Sequence, residues 1–405
     1  MRVLTLIHLY PPHHVGGYEV ACRGAMERFA EQGHEVMVLT SDFRLPDADE
    51  VDPSLSVEVR RDLRLWFDAD VFEPIRPGLA DRIALERGNQ QALRAALRDL
   101  RPDVASVWSL GYSSWALPRM LEDAGVPLVL TLLDDWPVYA YVFDGWTRMF
   151  DKRPWAHPLG AALGLCTRLP SFDGATVSVA SRMIAQSIAE HGRWKFPDAA
   201  LVPLGVDTRE LPVRTRPEPP WRWRVVYVGR VVPDKGVPTL IRALAHLPAD
   251  TQLTVIGHGP QSELDAMAEL ARQVGADGRV EFTRVARSEL AARIGQADVL
   301  VFPSEWPEPF GLVPLEAMAC GVPVVATGTG GSGEFLDDGG NCVLFAPGDP
   351  AALAGAVRRV AGDPPLRRRI VAGGATTAGR LTMDRFTDEL EALHRQAAAL
   401  AGAGR

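Results

Sequence analysis

Two doubly wound α/β domains of similar size, facing each other, are the architecture this sequence predicts. Three observations carry the prediction. The chain has 405 residues, enough for two or three domains at about 150 residues each. Short apolar runs alternate with amphipathic helical stretches, and the alternation occurs twice. Between the two series, residues 211–221 hold Pro212, Pro217, Pro219 and Pro220, the composition of an interdomain linker.

Each element follows from a local pattern. Residues 3–9 are an apolar run too short to span a membrane as a helix, with no small-residue cleavage site and a stop at Pro11-Pro12, so they read as a buried strand and not a secretory signal. A Pro/His/Gly loop over 10–16, a helix over 17–32 ending at Gly33 and a strand over 35–40 complete one βαβ unit with a parallel sheet. Strands are expected at 104–107, 127–132, 175–179 and 200–202, with a helix over 89–100. Past the linker come strands at 224–228, 252–256, 280–282, 299–302, 323–326 and 342–345, and helices at 237–247, 262–274, 288–295 and 312–320. The first domain is thus 1–211 and the second 212–382, with a last helix, about 383–405, long enough to pack back onto the first.

Composition narrows the function. Hydrophobic residues make up 47% and charged residues 23%, ordinary globular usage. A net charge of −8 excludes a broad basic face that grips nucleic acid, so any bound anion sits in a local pocket. The four cysteines, Cys22, Cys166, Cys320 and Cys342, form no C-x-x-C pair, which fits a reduced, cytoplasmic setting. No apolar stretch reaches 18 residues, so no transmembrane helix is expected. Lysine is scarce: Lys152, Lys195 and Lys235 are the only three among 43 basic residues.

Two constellations carry chemistry. In Gly229-Arg230-Val231-Val232-Pro233-Asp234-Lys235-Gly236 a strand runs into a tight loop that bears two cations at its carboxyl end, where open parallel sheets bind ligands. A planar guanidinium beside a compact ammonium suits a diphosphate. In the segment 304–316, Glu308 stands just ahead of a helix and Glu316 about one turn into it. The amides of Phe310, Gly311 and Leu312 lie at that helix start, ready to face an anion. A carboxylate beside a diphosphate costs energy unless it accepts hydrogen bonds, so Glu308 is assigned to sugar hydroxyls and Glu316 to ribose hydroxyls.

Glu308 and Glu316, in E-P-F-G-L-V-P-L-E followed by A-M-A-C-G-V-P-V-V-A, closely resemble the E-x7-E signature of family 4 retaining glycosyltransferases of the GT-B fold. V-G-R-V-V-P-D-K-G, V-I-G-H-G-P, V-P-L-G-V-D and G-T-G-G-S-G-E agree with the same family in the same order. The resemblance covers the second domain and the frame of the first. It implies a GT-B molecule with a cleft between two Rossmann-like domains, and a nucleotide-diphosphate sugar as donor. It further implies that Arg230 and Lys235 hold the diphosphate and stabilise the leaving nucleotide, that Glu308 meets the sugar and Glu316 the ribose, and that the amides of residues 310–312 meet phosphate or sugar. Gly16-Gly17 matches the glycine loop that nears the diphosphate as the cleft closes. Arg284 falls where relatives line the base pocket. No cofactor and no metal are implied.

One departure stands out. Many relatives carry T-x-H-D at the end of a first-domain strand, whereas this chain reads T-L-L-D-D, with Leu133 in place of the histidine. Asp134 or Asp135, or His13 and His14, are then candidates for a sugar or acceptor contact. Residues 136–170, rich in Trp, Tyr and Phe with interspersed cations, read either as a surface excursion packing its own aromatics or as an acceptor-binding lid or peripheral membrane patch. The expected activity is metal-independent, retaining transfer of a sugar to a hydroxyl on a glycan, lipid or aglycone. A GT-B nucleotide-sugar epimerase and a non-catalytic sugar-nucleotide binder remain as alternatives. A nicotinamide-binding protein is excluded, because no G-x-G-x-x-G follows the first strand.

Overall fold

The computed structural model describes residues 1–45, 55–68, 73–75, 77–207, 209–211 and 220–403. Most of the proline-rich linker and part of the loop region 41–77 therefore lie outside the described residues. The chain folds as two compact units. One comprises Met1–Val202 together with the chain from Phe386 onward, the other Pro203–Arg385.

The N-terminal unit is built on seven parallel strands: β1 Arg2–Leu6, β2 Glu35–Ser41, β3 Glu58–Leu63, β4 Val104–Val107, β5 Leu128–Leu132, β6 Thr176–Val179 and β7 Ala200–Leu201. Their order across the sheet is β3-β2-β1-β4-β5-β6-β7. The apolar runs read as strands because helices cover both faces, so almost every residue of β1, β2, β4 and β5 is buried. The first run overshoots: β1 stops at Leu6, and Ile7 and Leu9 stay buried while the chain turns into the loop, with the His8 amide donating to the Ser109 carbonyl at 2.9 Å. The C-terminal helix Met383–Ala403 contributes Phe386 against Trp108 and His394 against Phe29 to this unit.

The C-terminal unit has six parallel strands, β8 Arg224–Val228, β9 Gln252–Ile256, β10 Val280–Thr283, β11 Val299–Phe302, β12 Val324–Ala326 and β13 Val343–Leu344, in the order β10-β9-β8-β11-β12-β13. The order reverses between β8 and β11. The loops leaving the carboxyl ends of those two strands flank the point where such sheets bind ligands.

Several elements differ from expectation for identifiable reasons. The helix expected over 89–100 begins ten residues earlier, at Leu79, because its first ten residues expose Leu79 and bury Glu86 and so show no clean apolar period. β3 is an edge strand with a polar sequence, E-V-R-R-D-L. Helices Pro350–Gly362 and Pro364–Arg380 went unread although Asp349-Pro350 and Asp363-Pro364 signal their starts: Asp349 accepts from the amides of Ala351 and Ala352, and Asp363 from that of Leu366. Residues 136–170 form short helices, Trp136–Tyr139, Thr147–Asp151 and His157–Ala162, joined by 3-10 turns. Trp136, Trp146 and Phe150 are buried, and Trp115 stacks between Trp136 and Trp194.

Two buried carboxyl groups, Asp144 within this excursion and Glu86 on the helix Leu79–Leu100, have no basic partner among their hydrogen bonds. Buried Asp144 accepts from the amides of Trp115, Trp146 and Thr147 at 3.0, 2.7 and 3.0 Å. Buried Glu86 accepts from the Trp66 indole at 3.3 Å and the Gln90 amide at 3.2 Å. Burial, reinforced by the charge of Asp144, pushes the Glu86 carboxyl up to about 8. A carboxyl whose folded pKa is raised contributes stability that is complete below its unfolded value and lost as pH climbs through its folded value. Glu86→Gln should therefore melt above the parent at about pH 9 and match it at about pH 4, with the gap opening between about pH 4.5 and 8. A gap independent of pH across melting scans would contradict this account.

Candidate active site

The loop after β8 and the loop after β11 are pinned together before any side chain is considered. The Asp234 carbonyl accepts from the amides of Glu305 and Trp306 at 2.9 and 3.0 Å. Gly236 ends the first loop with φ +71°, and a Cβ there would stand 1.9 Å from the Pro303 carbonyl oxygen. Only glycine supports both the left-handed backbone and the close approach. On the far side of the second loop, Gly330 has φ +61°, and its Cβ would meet the backbone of Glu308 at 2.5 Å. The Gly331 amide donates to the Glu308 carbonyl at 2.6 Å.

This stitching brings Lys235 and Glu308 together. Lys235 Nζ donates to Glu308 Oε1 at 2.7 Å, with both side chains largely out of solvent. Thr239 Oγ1 donates to Glu305 Oε1 at 2.6 Å, and the Tyr227 hydroxyl donates to the Arg230 carbonyl at 2.7 Å. Burial, with the Glu308 charge behind it, drives the Tyr227 hydroxyl far above its ordinary value, so it stays a neutral donor. Arg230 itself is exposed on the loop.

Phe310 is buried and packs on Phe335, with ring centroids 5.2 Å apart, and Gly311 at φ +88° precedes the helix Leu312–Ala319. That helix is buried almost all round, which makes Glu316 a carboxylate inside an apolar element. Its counter-charge is Arg287, the first residue of helix Arg287–Gly295: Arg287 Nη1 donates to Glu316 Oε1 at 2.5 Å, and its Nε donates to Glu210 Oε2 at 3.0 Å. Burial disfavours the charge on Arg287, and the carboxylates of Glu316 and Glu210 together more than offset it, holding the pKa above its ordinary value. Sequence reasoning missed Arg287. It sits three residues beyond Arg284, and nothing in its spacing marks it. Arg284 points out as an exposed side chain.

In the N-terminal unit, Gly16 and Gly17 are exposed at the start of helix Gly17–Glu31, and the Gly16 amide donates to Glu19 at 3.1 Å. Leu133 is buried, so no polar group replaces the family histidine at that position. Asp134 accepts from the Tyr139 hydroxyl at 2.9 Å and from the Trp136 amide at 3.0 Å. Burial lifts its carboxyl to about 6, with the charges of Asp135 and Glu19 adding to the shift. Asp135 instead accepts from Ser187 at 2.6 Å. His13 is buried and accepts from the Leu45 amide at 3.3 Å, while His14 contacts the Pro12 carbonyl.

Residues 15–210 match the family described as Glycosyltransferase Family 4, and residues 214–376 match Glycosyl transferases group 1. The chain belongs to glycosyltransferase family 4. It is similar to glycogen synthase from Mycobacterium tuberculosis, at 29% identity over 391 residues that cover 91% of this chain and 88% of that one. Among solved structures, sucrose-phosphate synthase from Thermosynechococcus elongatus shares the fold with a TM-score of 0.74 and 22% identity, covering 99% of this chain and 100% of its own. Anabaena HepE in complex with UDP and glucose follows with a TM-score of 0.69 and 20% identity, covering 96% and 98%. The protein is therefore a GT-B glycosyltransferase, with two parallel-sheet α/β units. No helix among the described residues is long and apolar enough to cross a membrane.

Gly236→Ala should cost at least about 2 kcal/mol, because it adds left-handed strain to a clash with backbone. Gly88→Ala, where a Cβ meets nothing within 4 Å, is the control and should be neutral or stabilising. Thermal melting of both variants decides, and an unchanged melting temperature for Gly236→Ala would contradict the close approach.

Proposed function

We propose that this glycosyltransferase moves a sugar from a nucleoside-diphosphate donor to a hydroxyl acceptor with retention of anomeric configuration, and that the C-terminal unit holds the donor. The observation that supports this reading most is the Lys235–Glu308 contact at the carboxyl end of the central strands. A diphosphate needs a cation, and a sugar needs an acceptor of hydroxyl hydrogen bonds, a few ångströms apart. One loop pair supplies both.

In this reading Lys235 and Arg230 take the charge that develops on the leaving diphosphate as the glycosidic bond lengthens. No metal ion is required for that step. The amides of residues 310–312 add donors at a helix start. Glu308 orients the sugar, and Glu316, held by Arg287, accepts from the ribose hydroxyls. The leaving phosphate itself removes the acceptor proton as the new bond forms on the same face of the sugar, so Leu133 in place of a histidine does not block the reaction. Arg284 serves as a contact at the base, and Asp134 as an acceptor contact on the N-terminal unit, which takes a glycan, lipid or aglycone. That UDP occupies the HepE structure speaks for a nucleoside diphosphate of this type.

Lys235→Ala and Glu308→Gln should each lower transfer by about 10²–10³-fold while the protein still melts cooperatively. Most of the activity surviving in both folded variants would overturn the site assignment. Product analysis with and without acceptor separates transfer from epimerisation, which would consume donor without forming a new glycoside.

A further inference from the structure

Nine large apolar side chains are exposed among the described residues, and five of them, Tyr139, Val142, Trp155, Leu159 and Leu163, fall within residues 139–163. Three recur every fourth residue through the turn Pro154–Ala156 and the helix His157–Ala162, which sets Trp155, Leu159 and Leu163 on one stripe. They are 73%, 61% and 44% exposed. The opposite face is fixed inward by small residues. Ala156 is buried against the Trp66 and Phe150 cluster, and Gly160 lies so close to Thr167 that a Cβ would meet its methyl at 2.2 Å. His157 Nδ1 contacts Thr167 Oγ1 at 2.8 Å. The stripe thus cannot turn into its own domain.

Charge identifies what covers it. The chain as a whole is acidic, at −8, yet residues 147–163 carry Arg148, Lys152 and Arg153 against a single carboxylate, Asp151. Asp151 is already engaged by Arg193 at 2.9 and 3.0 Å and by the Tyr141 hydroxyl at 2.5 Å. Lys152 and Arg153 are exposed directly ahead of Trp155, and among the described residues neither forms an ion pair. A second copy of the chain seated here by a two-fold axis would oppose these cations to themselves. An anionic, apolar surface meets both features at once.

We propose that residues 152–163 form a docking face for a bilayer containing anionic lipid, with Trp155, Leu159 and Leu163 entering the interfacial region and Lys152 and Arg153 meeting the headgroups. The proposal does not rest on the donor-site reading.

The test is co-sedimentation of the full chain with vesicles of phosphatidylglycerol and phosphatidylcholine, against vesicles of phosphatidylcholine alone. The protein should sediment with the anionic vesicles and be released by salt. W155A/L159A and K152E/R153E should each weaken that binding by about tenfold or more, with melting temperature and binding of nucleoside diphosphate unchanged. Three results would overturn the proposal. These are no binding to anionic vesicles, equal binding by the variants, or a lipid-free dimer in sedimentation velocity that W155A/L159A dissociates.

Discussion

Two loops of the C-terminal unit are built to bring the Lys235 ammonium against the Glu308 carboxylate. Each group alone would be a charge withdrawn from water, and the attraction between two such charges does little more than offset the cost of their desolvation. The pair is therefore a poor source of stability, and the fold invests heavily in assembling it. Glycines at 236 and 330 admit backbone where no other side chain fits, and the Asp234 carbonyl locks the two loops by two amides. Geometry bought with that much constraint is better explained by a ligand that uses both charges than by the pair itself.

A second ion pair repeats the logic nearby in sequence. The helix Leu312–Ala319 is apolar on nearly every side, and Glu316 within it is tolerable because Arg287 reaches in from another helix. Arg287 is in turn held by Glu210, so its guanidinium is fixed at both ends of its fork. Each acidic residue of the E-x7-E segment thus has its own cation, Lys235 for Glu308 and Arg287 for Glu316. A carboxylate held in place beside its own cation still has oxygen lone pairs to accept hydrogen bonds from hydroxyls.

Much of this was legible in the sequence, and the limits have physical causes. Buried parallel strands such as Val104–Val107, Arg224–Val228, Gln252–Ile256 and Val299–Phe302 announce themselves as apolar runs between turn residues, and they stand where expected. The long helix Leu79–Leu100 was half hidden because its first ten residues expose Leu79 and bury Glu86, which no apolar period reports. Lys235 was conspicuous through the scarcity of lysine. Arg287 was not, since one arginine among so many gives no signal until its partners are seen. The aromatic segment 136–170 reads as a surface excursion or a lid because its helices are too short to show a period, and the separation of its inward Trp136 and Trp146 from its outward Trp155 is a matter of tertiary packing alone.

The most direct test exchanges the two charges. In a K235E/E308K variant the ion pair is restored with its poles reversed, so thermal melting should return close to that of the parent, well above K235E alone. Titration calorimetry with UDP and GDP should then show the parent binding at least one of them and the exchanged variant binding neither, because a carboxylate now stands where the diphosphate needs a cation. A well-folded exchanged variant that binds the nucleotide as tightly as the parent would contradict the account.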